Sequence, residues 1–382
     1  MAATDILTPE LLERLRSRAA RYDETNSFFT EDLEDLRAAG YLALFTPGTE
    51  GGAGLDIPGV VACQRLLASA APATALAVNM HQVWCGVAHL LALRGDDSLA
   101  FVLREAAAGE LFAFGVSEPG NPAVLFDSHT AARPAGDGGF AFTGTKIFTS
   151  LSPAWTRLGI FGKDLSNPDE PRLVFGFADR GTPGIVIADD WNTMGMRASQ
   201  SCTTRLDEAV VPAARMVRST PLGPHGDAFV FGIFSLFETL LSAVYTGIGD
   251  RAVALAVQAA RSRTSGDGVP GSAQPETRWK IADAALRMDG VSLQLGAVAR
   301  DLEDGTDHGA YWFPLLSGLK YRSTETARGV VESAMRVAGG RSYSRGQELE
   351  RLYRDVLAGM FHPSSEDSVH ASVASALLGP VG

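Results

Sequence analysis

The segment FAFGVSEPGNP, residues 112–122, marks the point where this sequence changes its structural pattern. A short apolar run is followed at once by a proline–glycine turn, which is typical of a strand that ends in a turn. Backbone N–H groups and the Ser117 hydroxyl then lie at a sheet edge, where they can hydrogen-bond an electron-poor ring or an anion. The segment predicts the start of a β domain and a candidate binding turn.

From this segment to residue 218 the chain keeps a β pattern, because short apolar or alternating runs are separated by Gly, Pro, Asp and Asn. This pattern predicts a central antiparallel sheet domain, residues 111–218. In the segment TGTKIFTSLSPAW, residues 143–155, strand alternation places Phe148 and Ser150 on one face and Thr149 on the other. An aromatic wall beside a hydroxyl suits a planar cofactor.

Helical patterns flank the β region on both sides, which predicts helical domains at residues 1–110 and 219–382. Residues 229–249 are almost wholly apolar and long enough to cross a bilayer. However, the Glu238 carboxylate at their centre would cost about 2.5–3.5 kcal/mol in a membrane, and no Lys/Arg cluster flanks them. We therefore expect no membrane span and a helix buried in a bundle.

The composition excludes several classes of protein. Lys and Arg number 33 against 44 Asp and Glu, which gives a net charge of −11 and makes non-specific nucleic-acid binding unfavourable. The apolar share of 46% is too high for a disordered chain. Three cysteines without a CxxC pair, and acidic residues where a signal peptide needs basic ones, predict a cytoplasmic protein.

Two further segments complete a joint pattern with the two β segments. These are WNTMGMRASQS at residues 191–201 and the pair VAGGRSY and ELERLYRDV at residues 337–343 and 348–356. In this order and at these separations, the segments resemble the acyl-CoA dehydrogenase superfamily of flavoproteins over nearly the whole chain. The resemblance implies an α+β fold with an N-terminal helical domain, a central β domain and a C-terminal four-helix bundle. It also implies FAD between the last two domains and assembly as a homodimer or homotetramer.

The resemblance assigns candidate cofactor residues in the β domain. Val116 and Ser117 match the strand-end pair that contacts the pyrimidine side of the flavin. Phe148 takes the place of the usual Trp packed on the flavin, and Ser150 that of the Thr beside flavin N5.

A second group of candidate cofactor residues lies in the C-terminal domain. Arg263 matches an Arg that reaches the FAD pyrophosphate of the neighbouring subunit, although it could equally be a surface Arg at a helix end. Arg336, Gly339 and Gly340 match the loop that holds the adenosine end, with Arg336 in place of the usual Gln.

The general base of the acyl-CoA dehydrogenases is missing from its usual position. In those members a Glu lies nine positions after the Arg matched by Arg354, and this chain has Pro363 there. Other members keep the base on another helix, at a position that is Phe237 here, with Glu238 next to it. Burial should raise the pKa of Glu238, which suits a base. A buried Glu paired with an Arg is the alternative.

His362 is the second catalytic candidate. Flavin monooxygenases of the same fold carry a His eight positions after the matched Arg, where it assists the flavin peroxide, and His362 has that spacing. Pro363 predicts that a helix ends here, and Ser364 with Asp367 predicts a capping box for the last helix. A histidine that interacts only with a helix dipole is the alternative.

These observations favour an FAD-dependent enzyme that oxidises the α,β C–C bond of an acyl thioester, carried by CoA or a carrier protein. Electrons would leave to an electron-transfer flavoprotein or O2. The alternative is a monooxygenase that takes reduced flavin, FAD or FMN, from a reductase and oxygenates another small molecule. Ala123, where the dehydrogenases have a Ser near the thioester, keeps that alternative open. A non-catalytic flavin-binding scaffold is a third hypothesis.

Overall fold

A computed structural model describes residues 2–264 and 268–379. The N-terminal region is helical. Thr8 starts the second helix by accepting a hydrogen bond from the Leu11 N–H at 3.3 Å, and Asp56 caps the fourth by accepting from the Gly59 N–H at 2.8 Å. Its helices are α1 (Ala3–Ile6), α2 (Pro9–Thr25), α3 (Thr30–Ala38), α4 (Ile57–Ala68), α5 (Pro72–Ala92) and α6 (Ala100–Ala107).

The central region forms one sheet. Its strands are β1 (Phe112–Gly115), β2 (Ala131–Pro134), β3 (Phe140–Thr149), β4 (Arg157–Asp164), β5 (Arg172–Asp179), β6 (Ile185–Ile187), β7 (Cys202–Val211) and β8 (Met216–Pro221). Their order is β6-β7-β3-β2-β4-β5-β8, and β1 pairs with β4. The sheet is mainly antiparallel, but β1 and β2 run parallel to β4, so it is a mixed sheet. The last strand also crosses the predicted boundary at residue 218.

The C-terminal helices pack around α7 (Ala228–Ser262), with α8 (Pro275–Glu303), α9 (Trp312–Ala338), α10 (Glu348–Leu357) and α11 (Glu366–Leu378) following. Helix α7 is long and apolar enough to cross a membrane, but 78% of its most apolar window is buried inside the protein. Gly247 permits the close approach of α4, since a Cβ there would lie 2.2 Å from the Arg65 carbonyl oxygen. The apolar run is thus the centre of a helical core.

Helix α10 ties three parts of the chain together. The Arg354 guanidinium binds the Asp23 carboxylate on α2 and the Met194 carbonyl, each with one N···O distance of 2.8 Å. The Asp355 carboxylate accepts from the Met196 N–H at 2.6 Å. Gly195 allows this contact because a Cβ there would lie 2.2 Å from the Arg354 carbonyl oxygen. The loop before β7 is therefore fixed against the helix that leads to His362.

Candidate active site

The turn after β1 is anchored to β3. Val116 is buried, and the Ser117 carbonyl accepts a hydrogen bond from the Ile147 N–H at 2.9 Å. Beneath the turn, the fully buried Glu118 carboxylate accepts from the Lys146 ammonium at 2.6 Å. Val116 and Ser117 therefore lie in a turn that the buried Glu118–Lys146 ion pair supports. The sequence patterns did not predict this ion pair.

The Glu118–Lys146 pair is saturated with hydrogen bonds. Besides Lys146, the carboxylate accepts from the Ser128 hydroxyl, the His129 N–H, and the N–H and hydroxyl of Thr130. Burial alone would raise the pKa of Glu118, but the charge of Lys146 and these donors outweigh it and lower the pKa to about 2. Burial lowers the pKa of Lys146 to about 8. Both groups are therefore charged at neutral pH and hold the turn rigid.

Phe148 has an unusual backbone that changes which way β3 presents its side chains. Its φ is +57°, and the pairing of β3 with β7 shifts register between Lys146 and Thr149. The Phe148 side chain is 57% exposed, whereas Thr149 and Ser150 are both buried. The prediction that Phe148 and Ser150 share a face is wrong, because a left-handed residue interrupts strand alternation.

The surroundings of Phe148 fit a planar heterocycle. Its ring meets the Trp191 ring edge-on at 6.3 Å between centroids. Ser150 and Ser201 hydrogen-bond through their hydroxyls at 2.8 Å, and the buried Thr149 hydroxyl has no partner among the described residues. An exposed aromatic face, beside an anchored turn and an unpaired hydroxyl, could pack against a ring that carries polar atoms at its edge. Trp191 lies in a segment used for the resemblance, but its sequence gave it no individual role.

The two catalytic candidates meet at one loop, residues 358–365, which follows α10. The Ser364 hydroxyl donates to Glu238 Oε1 at 2.6 Å, and the Tyr245 hydroxyl lies 3.1 Å from His362 Nδ1. The predicted capping box is wrong, because Ser364 hydrogen-bonds Glu238 on α7 and Ser365 occupies the N-cap of α11 without a side-chain bond. Glu238 and His362 therefore belong to one cluster.

The cluster holds Glu238 and His362 in their uncharged forms at neutral pH. Burial raises the pKa of Glu238 to about 8, against the opposing effects of the Ser364 hydroxyl and the Lys320 charge. Burial, reinforced by Lys320, lowers the pKa of the half-buried His362 to about 3. The second carboxyl oxygen of Glu238 has no partner, and no arginine pairs with it within residues 2–264 and 268–379. The predicted alternative of a Glu–Arg pair is therefore not found there.

Lys320 on α9 is the cation closest to this cluster, and sequence reasoning missed it. Its ammonium donates to the carbonyls of Gly359, His362 and Ser364 at 2.7, 3.1 and 3.1 Å. A signal was present, because Lys320 lies on the buried face of α9, one turn from the apolar Leu316 and two from Ala327. A lysine on such a stripe needs a buried partner.

The second group of cofactor candidates lies at the end of α9. The Arg263 guanidinium, which follows α7, donates to the Val337 carbonyl at 2.7 Å. Gly339 has φ +78°, and a Cβ there would lie 2.8 Å from Arg263 Nη1. The structure therefore brings Arg263 to the glycine loop of its own chain, where it satisfies a carbonyl at a helix terminus.

Arg336 and Gly340 are more open. Arg336 is exposed and pairs with Glu332 one turn earlier on α9. A Cβ on Gly340 would meet no atom within 4 Å. Their roles at an adenosine group stay predictions.

The order of the three regions, with α10 fixed against the loop before β7 by the Arg354 and Asp355 contacts, is that of an acyl-CoA dehydrogenase fold. Residues 239–366 match the sequence model described as acyl-CoA dehydrogenase, C-terminal domain. This match lies in the C-terminal helical region and supports the resemblance to the acyl-CoA dehydrogenase superfamily, and similar solved structures confirm the predicted fold class.

Relatives of different activities are similar to this chain. The putative acyl-CoA dehydrogenase YdbM of Bacillus subtilis is 28% identical, over 96% of this chain and 94% of its own. L-evernosamine nitrososynthase of a Micromonospora species is 27% identical, over 92% and 84%. The structure of KijD3 with FMN and dTDP-3-amino-2,3,6-trideoxy-4-keto-3-methyl-D-glucose has a TM-score of 0.86 and 26% identity, over 100% and 94% of the two chains.

Proposed function

We propose that this protein is a flavin-dependent monooxygenase that uses reduced flavin and O2 to oxygenate a small molecule. The observation that carries the proposal is the contact of His362 Nδ1 with the Tyr245 hydroxyl at 3.1 Å, and burial lowers the pKa of this imidazole to about 3. It stands next to Pro363, which occupies the position where the resemblance to acyl-CoA dehydrogenases places their usual Glu. The likeness to the nitrososynthase supports an oxidation of a small molecule, and the likeness to the FMN complex of KijD3 supports a flavin.

The residues around Phe148 fit the flavin ring. Phe148 would pack on the ring face, Val116 and Ser117 would border its pyrimidine side, and Ser150 would lie near N5. When bound, reduced flavin supplies the electrons that activate O2. The protein's part is to bind the ring, exclude water and place a proton donor.

His362 can supply that donor. Burial raises the pKa of Tyr245 well above its usual value, so its hydroxyl keeps its proton and can donate it to His362 Nδ1 when Nδ1 is the unprotonated ring nitrogen. The neutral ring then carries its own proton on Nε2, which is left to donate to a reacting oxygen. Because the pKa of His362 is about 3, this state persists across the physiological range.

FMN is the proposed flavin, delivered by a reductase, in place of the FAD first expected. The KijD3 complex, which contains FMN, supports this choice.

Dehydrogenation of an acyl thioester is the second candidate. Its supporting observation is the bare Oε2 of Glu238, a buried carboxyl oxygen that could accept a proton once the group is ionised. The likeness to YdbM supports it as well.

An experiment with two arms separates these reactions. Purified protein is supplied with reduced FMN, O2 and dTDP-amino sugars, the ligand class of the KijD3 complex, and mass spectrometry looks for added oxygen. In the second arm, the flavin-loaded protein receives acyl-CoA thioesters without O2. Bleaching of the flavin band at about 450 nm in the second arm would contradict the monooxygenase proposal. An oxygenated product in the first arm supports it.

We also propose self-association and a cytoplasmic location. Trp279, Leu286 and Leu293 are exposed on α8 at seven-residue spacing, which gives an apolar stripe suited to another helix. The free, buried thiols of Cys63, Cys85 and Cys202 support a reducing compartment. Light scattering of wild type and a Leu286→Glu variant tests the stripe, since the variant should dissociate.

A further inference from the structure

Lys320 fixes the backbone of the loop that carries His362. Its side chain is buried, and its ammonium donates to three carbonyls that lie within six residues, those of Gly359, His362 and Ser364. An ammonium has three N–H donors, so all of them are used on this one loop. Charge-assisted hydrogen bonds of this kind are stronger than neutral ones.

Helix α7 holds the same loop as well. The Ser364 hydroxyl donates to Glu238, and the Tyr245 hydroxyl reaches the His362 ring. Gly359 packs so tightly that a Cβ would lie 2.5 Å from the Thr324 side chain. The loop is therefore bound by both α7 and α9, and Lys320 supplies the hydrogen bonds from α9.

The charges around Lys320 do not replace these hydrogen bonds. Glu238 on α7 and Glu325 on α9 act on it through space, and His362 faces it from the loop. Within the described ranges no carboxylate lies within 4.0 Å of its nitrogen. The loop carbonyls are thus its direct partners, and without them a buried ammonium would be strongly unfavourable.

We propose that Lys320 is a positioning residue for the active site, which sets the orientation of the His362 imidazole by fixing the loop backbone. The assignment to catalysis rests on the proposed function, but the ordering of the loop does not. Lys320 touches neither cofactor nor substrate in this proposal and acts only through His362.

The first test measures loop order without any flavin. Hydrogen exchange of the peptide covering residues 358–365 is followed by mass spectrometry in wild type, Lys320→Met and Lys280→Met. The loss of charge-assisted bonds should accelerate exchange about tenfold to a hundredfold in Lys320→Met. Lys280 on α8 has no contact with this loop, so its variant should match wild type. Unchanged exchange in Lys320→Met overturns the proposal.

The second test asks whether Lys320 acts through His362. Reduced FMN and O2 are added as probes, and the release of hydrogen peroxide is followed as oxidised FMN forms. Lys320→Met and His362→Asn should each accelerate release by several-fold, and the double variant should not exceed either single one, because both changes remove one function. FMN affinity should stay unchanged. Additive effects, or none in Lys320→Met, contradict positioning.

The choice of variants distinguishes a folding defect from a loss of function. If Lys320→Met does not fold, Lys320→Gln, which keeps amide donors, takes its place, and failure of both variants to fold assigns Lys320 to stability and overturns the proposal. If wild type fails to use FMN and O2 while exchange still depends on Lys320, the monooxygenase proposal fails and the ordering of the loop stands.

Discussion

Two buried lysine–glutamate pairs in this protein use the same residue types in opposite ways. In the β domain, Lys146 and Glu118 are in contact at 2.6 Å, and hydrogen bonds and the lysine charge lower the pKa of Glu118 to about 2. In the helical domain, Lys320 and Glu238 are not in contact, and burial raises the pKa of Glu238 to about 8. Glu238 also keeps one oxygen without a partner among the described residues.

The difference lies in how completely each carboxyl group is solvated by the protein. Glu118 is surrounded by donors, so it is a permanent anion that can only hold structure. Glu238 has one hydroxyl donor, so its proton is retained near neutral pH. The group can therefore still change its protonation state when the pH rises. The Glu118–Lys146 pair supports the turn under the proposed flavin, and the Glu238–Lys320 pair lies beside the loop that carries His362.

The same substitution at both glutamates should separate the two pairs most strongly. Glu118→Gln leaves a buried Lys146 charge without its counter-ion and should lower the free energy of unfolding by about 3–5 kcal/mol. Glu238→Gln replaces a largely protonated group and should cost no more than about 1 kcal/mol. Urea unfolding near pH 6 measures both values, and similar losses at the two sites would remove the distinction.

In the cluster of Glu238 and His362, the imidazole should contribute more to turnover than the carboxyl group. His362→Asn should lower turnover in the proposed reaction about 100-fold, the lower end of what a positioned proton donor contributes. Glu238→Gln should change it only a few-fold. Turnover with reduced FMN and O2 measures the two variants, and the reverse order would contradict the role of His362 as the proton donor.

Stability should depend on pH with opposite signs at these two residues. The folded pKa of His362 is about 3, below its ordinary value of 6.5, so the unfolded chain binds more protons as pH falls below 6.5. His362 therefore removes about 2 kcal/mol of stability at pH 5, since 1.5 pH units cost about 1.36 kcal/mol each. The folded pKa of Glu238 is raised to about 8, so its contribution falls as pH rises from 4.5 to 8.

Comparison of variants with wild type separates the pH dependence of stability due to His362 and Glu238 from that of other titrating groups. Relative to wild type, His362→Asn should gain stability as pH falls from 7 to 5, and Glu238→Gln should gain as pH rises from 5 to 8. Parallel urea titrations at these pH values test both signs. A His362→Asn curve that runs parallel to wild type would mean that the imidazole is charged in the folded protein.

The fold could be predicted because its signals are local. Hydrophobic period separates the helical regions from the strands, and the run around Glu238 is apolar enough to require burial. The details of the site depend on contacts between distant residues. The Lys320 ammonium meets carbonyls about forty residues away along the chain, and the Ser364 hydroxyl reaches Glu238 on α7 rather than capping α11, which local spacing cannot indicate.

Substitution of Phe148 tests whether its aromatic ring, or the turn held by the Glu118–Lys146 pair, determines cofactor binding. Phe148 is exposed and its backbone is left-handed, so Phe148→Leu removes the aromatic face while keeping an apolar side chain and should not alter unfolding by more than about 0.5 kcal/mol. Loss of ring stacking should weaken FMN binding about tenfold. Fluorescence titration with FMN measures this, and Val186→Leu, at an exposed site on β6, is the control. If FMN affinity is unchanged in Phe148→Leu but falls when Glu118 is altered, the anchored turn and not the aromatic ring determines binding, because a rigid turn can fix the flavin edge without a stacking partner.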